Sequence, residues 1–331
     1  QTFVHRQIKI LGNREERTQI HKQKKLTTMK KNIIFASFVV GALVTALSCS
    51  NKKVDGPNPD ADSTAMKADE KAQAGNMNPW PWDFPKDVEV DVHEGQIVLA
   101  ATYYPEYLKE GAELDKKTYI FYKGDVVSKG AGSTKIEHIG KETEIPNALI
   151  IPLPSDATAK VGDIVLTWWQ SGSGLQRAIV TDASDPKAPV VSYLDLSWTE
   201  KDGKLKKFAK DEKLKPGTFK VLNDGEWAPG MQIAFEENGR KCIGRIISLT
   251  DEKVLISGFA GSIYTANRTD CQLISLKPSF KPGDNVFGKV TSTYEDNFTV
   301  VKYDKKNGRV WVTDNHKSTS IKSILEVASK L

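Results

Sequence analysis

From Val88 onward the chain alternates apolar and polar residues in short runs, broken by Gly, Pro, Asn and Asp. A period of two puts one set of side chains on one face, the mark of half-buried strands. Ile164 to Trp169, Arg177 to Thr181, Val190 to Leu196, Lys253 to Ser257, Phe298 to Tyr303 and Val310 to Thr313 read as strands on this basis. Only Ser320 to Leu331 has the wider spacing of a helix, at Ile321, Ile324, Leu325 and Ala328. The pattern predicts an all-β body with one short C-terminal helix.

The runs fall into repeated blocks, because one turn recurs ahead of each: Val161-Gly162-Asp163-Ile164-Val165, Pro229-Gly230-Met231-Gln232-Ile233 and Pro282-Gly283-Asp284-Asn285-Val286. Glycine tolerates a positive φ at such a turn, an Asp after it accepts hydrogen bonds from the turn backbone, and the β-branched residues that follow open a core strand. Closing apolar runs stand at Phe219 to Leu222, Leu273 to Leu276 and Ile324 to Val327. Five short strands in roughly 50 residues curl into a small barrel and not a sandwich. The block limits are 156–224, 225–277 and 278–331. A divergent unit over 87–155 opens at Glu94-Gly95-Gln96-Ile97-Val98-Leu99, carries an insertion around Tyr103 to Lys117 and ends near Leu149-Ile150-Ile151. One such barrel buries little apolar surface, and the short linkers Asn223 to Ala228 and Lys277 to Lys281 predict neighbours packed side by side.

The block Gly162-Asp163-Ile164-Val165-Leu166-Thr167-Trp168-Trp169, then the turn Ser171 to Gly174 and the strand Leu175-Gln176-Arg177-Ala178-Ile179-Val180, resembles the opening of Tudor-like and other SH3-like barrels. The resemblance implies tandem five-stranded barrels. The last block departs from it, since Phe287-Gly288-Lys289-Val290 runs straight on without the second turn.

The amino-terminal fifty residues differ in kind. Met29-Lys30-Lys31-Asn32 and the apolar run Ile33 to Leu47 have the layout of an export signal over 29–48, too short for a permanent bilayer span. Ala46-Leu47-Ser48-Cys49 resembles a bacterial lipoprotein lipobox, and Ser48-Cys49-Ser50 is similar to the version common in Bacteroidetes-type bacteria. The resemblance implies diacylglycerol attachment at Cys49. Residues 1–28 are polar and basic and read as an upstream extension of the frame. Residues 49–86 read as the lipidated cysteine and a solvated tether, with Asp62-Ser63-Thr64 similar to a short O-glycan acceptor. The tether ends in a Trp/Pro strap, Trp80-Pro81-Trp82-Asp83-Phe84-Pro85, that packs across a domain or docks a partner.

This division changes the meaning of the charge. The whole chain is +5, but residues 1–48 hold nine basic and two acidic side chains, and without them 38 Lys and Arg face 40 Asp and Glu. A slightly acidic exported chain argues against a nucleic-acid partner. Lys52-Lys53-Val54-Asp55 lacks an acidic run after Cys49, which favours the periplasmic leaflet over the outer surface.

Catalytic apparatus is sparse. Downstream of Cys49 the histidines are His93, His138 and His316, none beside a second histidine at ligand spacing, and no metal, phosphate or dinucleotide fingerprint is present, so no cofactor is implied. Cys242 with His138 is the available thiol–imidazole pair for a hydrolase. Cys242 and Cys271 share one block, and in an oxidising compartment they are expected to form a disulfide or to stay buried thiols. The lysine-rich stretch Lys201 to Lys215 reads as a solvated hairpin.

Aromatic residues are the better contact candidates. Trp168 and Trp169 are adjacent on a strand and point to opposite faces, and with Tyr193 and Trp198 they offer a surface for stacking. Tyr294, Tyr303 and Trp311 are their counterparts in the last block; the competing expectation is that these rings seal barrel against barrel. The sequence therefore points to a noncatalytic, lipid-anchored binding or scaffold module of the cell envelope. Its partners are the membrane, through the anchor, and an envelope protein or cell-wall glycan. An envelope hydrolase and a purely structural subunit are the alternatives.

Overall fold

The computed structural model describes residues 80–331 apart from Ala112. The expected upstream extension, signal peptide, lipidation site Cys49, O-glycan acceptor Asp62-Ser63-Thr64 and tether up to residue 79 lie outside the described residues.

The body is all-β and built of tandem small barrels, each an antiparallel five-stranded sheet. The first contains β1 (Ile97–Ala100), the short helix α1 (Tyr104–Lys109), β2 (Tyr122–Lys129), β3 (Ser133–His138), β4 (Lys141–Pro146) and β5 (Ile150–Pro152). The second contains β6 (Ile164–Trp168), β7 (Leu175–Asp182), β8 (Val190–Tyr193), the inserted hairpin β9 (Trp198–Lys201) and β10 (Lys204–Lys207), then β11 (Glu212–Lys213) and β12 (Lys220–Leu222). The third runs through β13 (Gln232–Glu237), β14 (Arg240–Leu249), β15 (Lys253–Ser257), β16 (Ile263–Asn267) and β17 (Cys271–Leu273). The fourth runs through β18 (Asn285–Val290), β19 (Thr293–Asp304), β20 (Arg309–Asp314), β21 (Thr319–Ser323) and β22 (Val327–Ala328).

One strand order serves all four. In the first barrel it is β4-β3-β2-β1-β5, and with the hairpin set aside the second reads β11-β8-β7-β6-β12. The third and fourth follow the same rule and are joined through their middle strands, where Cys242 of β14 pairs with Thr293 of β19.

The recurrent turn explains how each sheet curls. Gly95, Gly162, Gly230 and Gly283 all have positive φ, between 76° and 98°. Each donates its backbone N–H to a carbonyl on the second strand of its own barrel, at Val126, Val180, Ile246 and Val300, over 2.8–2.9 Å. Those four residues donate back to the carbonyls of Gln96, Asp163, Met231 and Asp284. At the same four places the second strand shifts register against the third, a bulge that bends a long strand around a small core. Asp163 and Asp284 accept the turn N–H groups of Lys160 and Lys281, and Gln96 does the same work for His93.

Two expectations need correction. Ser320 to Leu331 is not a helix: β21 pairs with β20, a 3-10 turn follows over Ile324–Glu326, and β22 pairs with β18. Strand alternation plus one tight turn buries Ile324, Leu325, Val327 and Ala328 with a spacing that imitates a helical stripe. The α-helix lies instead in the β1–β2 insertion, begun by Pro105, whose fixed φ suits a first turn. The last block does turn after Val290, through Thr291 at φ 54° in place of a glycine.

The main apolar core cluster runs through all four barrels, beside two smaller ones, and the strap is part of it. Trp82 and Phe84 are buried, Trp82 meets Trp80 edge-on at 4.6 Å and Tyr119 at 5.4 Å, and the Trp80 indole N–H donates to the Phe84 carbonyl at 2.7 Å. Polar clamps cross the remaining seams. Arg177 of the second barrel binds Asp195 through Nε and Nη2 and reaches Gln232 of the third at 2.6 Å, while Arg245 of the third lies 3.4 Å from the same Asp195. Arg309 of the fourth barrel, 1% exposed, donates to the carbonyls of Tyr193, Leu194 and Leu196 in the second.

Candidate functional site

The contact aromatics separate into two groups. Tyr193, Trp198, Tyr294 and Trp311 are buried, so they do not form an open face. Tyr193 donates its hydroxyl to Glu212 at 2.6 Å and accepts the Gln170 N–H. Trp198 is held between Lys207 and Arg309, each under 5 Å from its ring, and the Trp311 indole N–H donates to Glu200 of β9 at 3.0 Å. Tyr294 donates to the Leu325 carbonyl at 2.8 Å, and Tyr303 leans on Phe280. Trp198 and Trp311 close the seam between the second and fourth barrels, and Tyr294 clusters with Ala234 and Ile274 of the third, whereas Tyr193 packs within the second barrel and Tyr303 within the fourth. The physical reason is that β9 and β20 face each other across the seam, where a wide apolar side chain with one polar tip covers most area.

Trp168 and Trp169 do point apart. Trp169 packs on the private core of the second barrel and meets Phe208 at 5.7 Å. Trp168, at the end of β6, turns toward the first barrel and lines a cleft of about 350 Å³.

The opposite wall of that cleft is built by the first barrel. Tyr103 sits just before α1 and is 47% exposed; Tyr122 opens β2; His138 closes β3. Their ring centroids are 5.4–6.4 Å apart, Tyr122 and His138 nearly stacked and Tyr103 edge-on to both. His138 Nδ1 lies 2.8 Å from the Lys123 carbonyl, which can only accept, so Nδ1 carries a proton and Nε2 has no partner in the barrel's own strands. Burial pushes the Tyr122 phenol up, with the Tyr103 phenol adding to it, so the hydroxyl stays protonated at neutral pH. Asp125 and Glu137 edge the cleft, Asp125 paired with Lys123 and Glu137 accepting the Gly140 N–H.

At its rim stands Ile139. With Gly140 it makes the two-residue turn between β3 and β4, where His138 pairs with Lys141. Its φ is 52° and it is 85% exposed. A β-branched residue is a poor choice for a left-handed turn position, and an exposed isoleucine recovers nothing by burial there. Asn or Asp would normally precede Gly in such a hairpin.

The thiols take other roles than expected. Cys242 and Cys271 are free. Both pair with Phe235, Cys242 from β14 on one side and Cys271 from β17 on the other. A whole strand therefore separates them, and two strand spacings, about 10 Å, exceed what a disulfide bridges. Burial, reinforced by Glu237, pushes the Cys242 thiol up, and burial pushes Cys271 up to about 11. Cys242 lines a cleft with Glu237 and Arg240, apart from the one that holds His138. Thiol and imidazole are thus not brought together.

Among the described residues no three His, Cys, Asp or Glu side chains gather as a metal site, and no helix is long and apolar enough to cross a membrane. The sequence signal for the cleft was the dipeptide Ile139-Gly140 between two alternating runs, an apolar residue in a position that asks for Asn. No family model and no curated protein matches this chain.

Proposed function

We propose that this chain is a noncatalytic binding module of the bacterial cell envelope, anchored by lipid at Cys49, that holds a sugar ring of cell-wall glycan in the cleft between its first two barrels. The observation that carries the reading is the exposed, strained Ile139 beside Tyr103, Tyr122, His138 and Trp168. Aromatic faces stack on the apolar side of a pyranose, while the tyrosine hydroxyls, Asp125, Glu137 and His138 Nε2 suit its hydroxyl groups. The raised thiol of Cys242 and its distance in the fold from His138 support the noncatalytic half of the reading.

The test is binding to purified cell-wall glycan fragments by calorimetry, with Tyr122→Ala as the disrupted form. Loss of at least about tenfold in affinity is expected for removal of one stacking ring. Equal binding by both proteins defeats the assignment of the cleft; binding by neither points to an envelope protein as the occupant. The anchor is tested separately: labelled palmitate enters the native protein and not Cys49→Ala.

A further inference from the structure

The hairpin β9–β10 stands outside the sheet of the second barrel and has its own two faces. Lys204 pairs with Lys201, Leu205 with Glu200, Lys206 with Thr199 and Lys207 with Trp198. Directly paired residues share a face and neighbours alternate. One face therefore holds Trp198, Glu200, Leu205 and Lys207. Its Trp198 end turns inward, with Lys207 over the Trp198 ring and Glu200 accepting the Trp311 indole N–H, while Leu205 near the tip is half exposed.

The other face holds Thr199, Lys201, Lys204 and Lys206, and Phe208 continues it, its N–H bonded to the Ser197 carbonyl. All five are exposed, Phe208 by 66%. No carboxylate lies on this face, although Asp202 occupies the turn, and none of its three lysines is ion-paired among the described residues. Phe208 rests edge-on against Trp169. The chain after residue 48 is slightly acidic, so this ribbon reverses the sign of the body that carries it.

We propose that this face docks on an anionic phospholipid surface, Lys201, Lys204 and Lys206 meeting headgroup phosphates while Phe208 enters the interfacial layer. Lysines around one exposed aromatic are the interfacial pattern, and each cation near an anionic leaflet adds attraction that salt screens. The inference rests on the lipid-anchor reading, because an anchor at Cys49 keeps Trp80 within about 110 Å of the bilayer even with the chain between them fully extended. A partner within that reach needs little intrinsic affinity to be occupied.

The experiment measures amide hydrogen exchange of the full chain held on vesicles through an amino-terminal histidine tag and a nickel-chelating lipid, so that its outcome does not depend on Cys49. Vesicles rich in phosphatidylglycerol are compared with vesicles of phosphatidylcholine. The expected result is slowing of the 199–208 amides by about threefold or more on the anionic vesicles alone, abolished by high salt. Lys201→Glu with Lys204→Glu and Lys206→Glu should lose the protection, and Phe208→Ser should reduce it. Unchanged exchange in the hairpin overturns the proposal, as does equal protection on both lipids. If palmitate labelling at Cys49 fails while the hairpin is protected, the anchor is lost and the lipid-facing ribbon stands.

Discussion

The seam between the second and fourth barrels and the cleft between the first and second use the same side chains to opposite ends. At the seam, Trp198 and Trp311 are buried under Arg309, Lys207 and Lys302, and the two Arg309 Nη groups and the Trp311 indole N–H find partners within the protein. In the cleft, Tyr103 and Tyr122 have carboxylates and an imidazole beside them and share an open gap with Trp168 of the second barrel, with Ile139 exposed at a strained turn on the rim. Aromatic and charged residues together therefore do not mark a binding site. Whether another part of the chain covers them is what separates the two regions.

The largest break in the comparison is Arg309→Ala. It strands the carbonyls of Tyr193, Leu194 and Leu196 in a buried seam and leaves a void beneath Trp198, at a cost of about 3 kcal/mol or more in denaturant unfolding. Glycan affinity measured well below the melting point should be unaltered, since the cleft lies on another barrel pair.

Asp195→Asn comes next, at about 2–3 kcal/mol, because it leaves Arg177 and Arg245 facing each other without a carboxylate. Burial pushes the Asp195 carboxyl up, but the two guanidinium groups outweigh it and hold it well below the ordinary range. A depressed folded-state value contributes stability that is fully present above about pH 4, the unfolded value, and fades as pH falls through the folded one. The native protein should lose this contribution only in strong acid. Melting temperature against pH should show a shallower acid limb in the Asn variant.

Ile139→Asn sharpens the comparison from the other side. Asn accepts the left-handed conformation, so the variant should gain up to about 1 kcal/mol of stability while binding glycan more weakly. A gain in both would mean that the isoleucine is not a contact. The smallest effect is that of reductant: with a strand between Cys242 and Cys271, dithiothreitol should leave the melting temperature unchanged.

The repeat was legible because a turn glycine has a backbone reason to recur. Even the divergent first unit keeps Gly95 and its bond to Val126, with Gln96 in the place of the aspartate. The helical reading of Ser320 to Leu331 failed because spacing counts buried residues and not the surfaces that bury them; here two sides of a fourth barrel do so in turn. The disulfide reading failed for a related cause, since nearness in one block says nothing of the strand that runs between. Trp168 was singled out and does reach the cleft, whereas Tyr103 and Tyr122 stood at the edges of an insertion with no periodic signal to place them.

By itself the sequence determined the local chemistry of this protein: alternation made strands, the recurrent Gly turn with its bulge curled each sheet, and repetition made several barrels from one plan. Those properties depend on backbone conformation and on contacts within some 50 residues. Only the tertiary structure decided which aromatics closed a seam and which stayed open, because burial is a property of pairs of surfaces, and residues more than a hundred positions apart, such as Leu194 and Arg309, share no pattern in the chain that joins them.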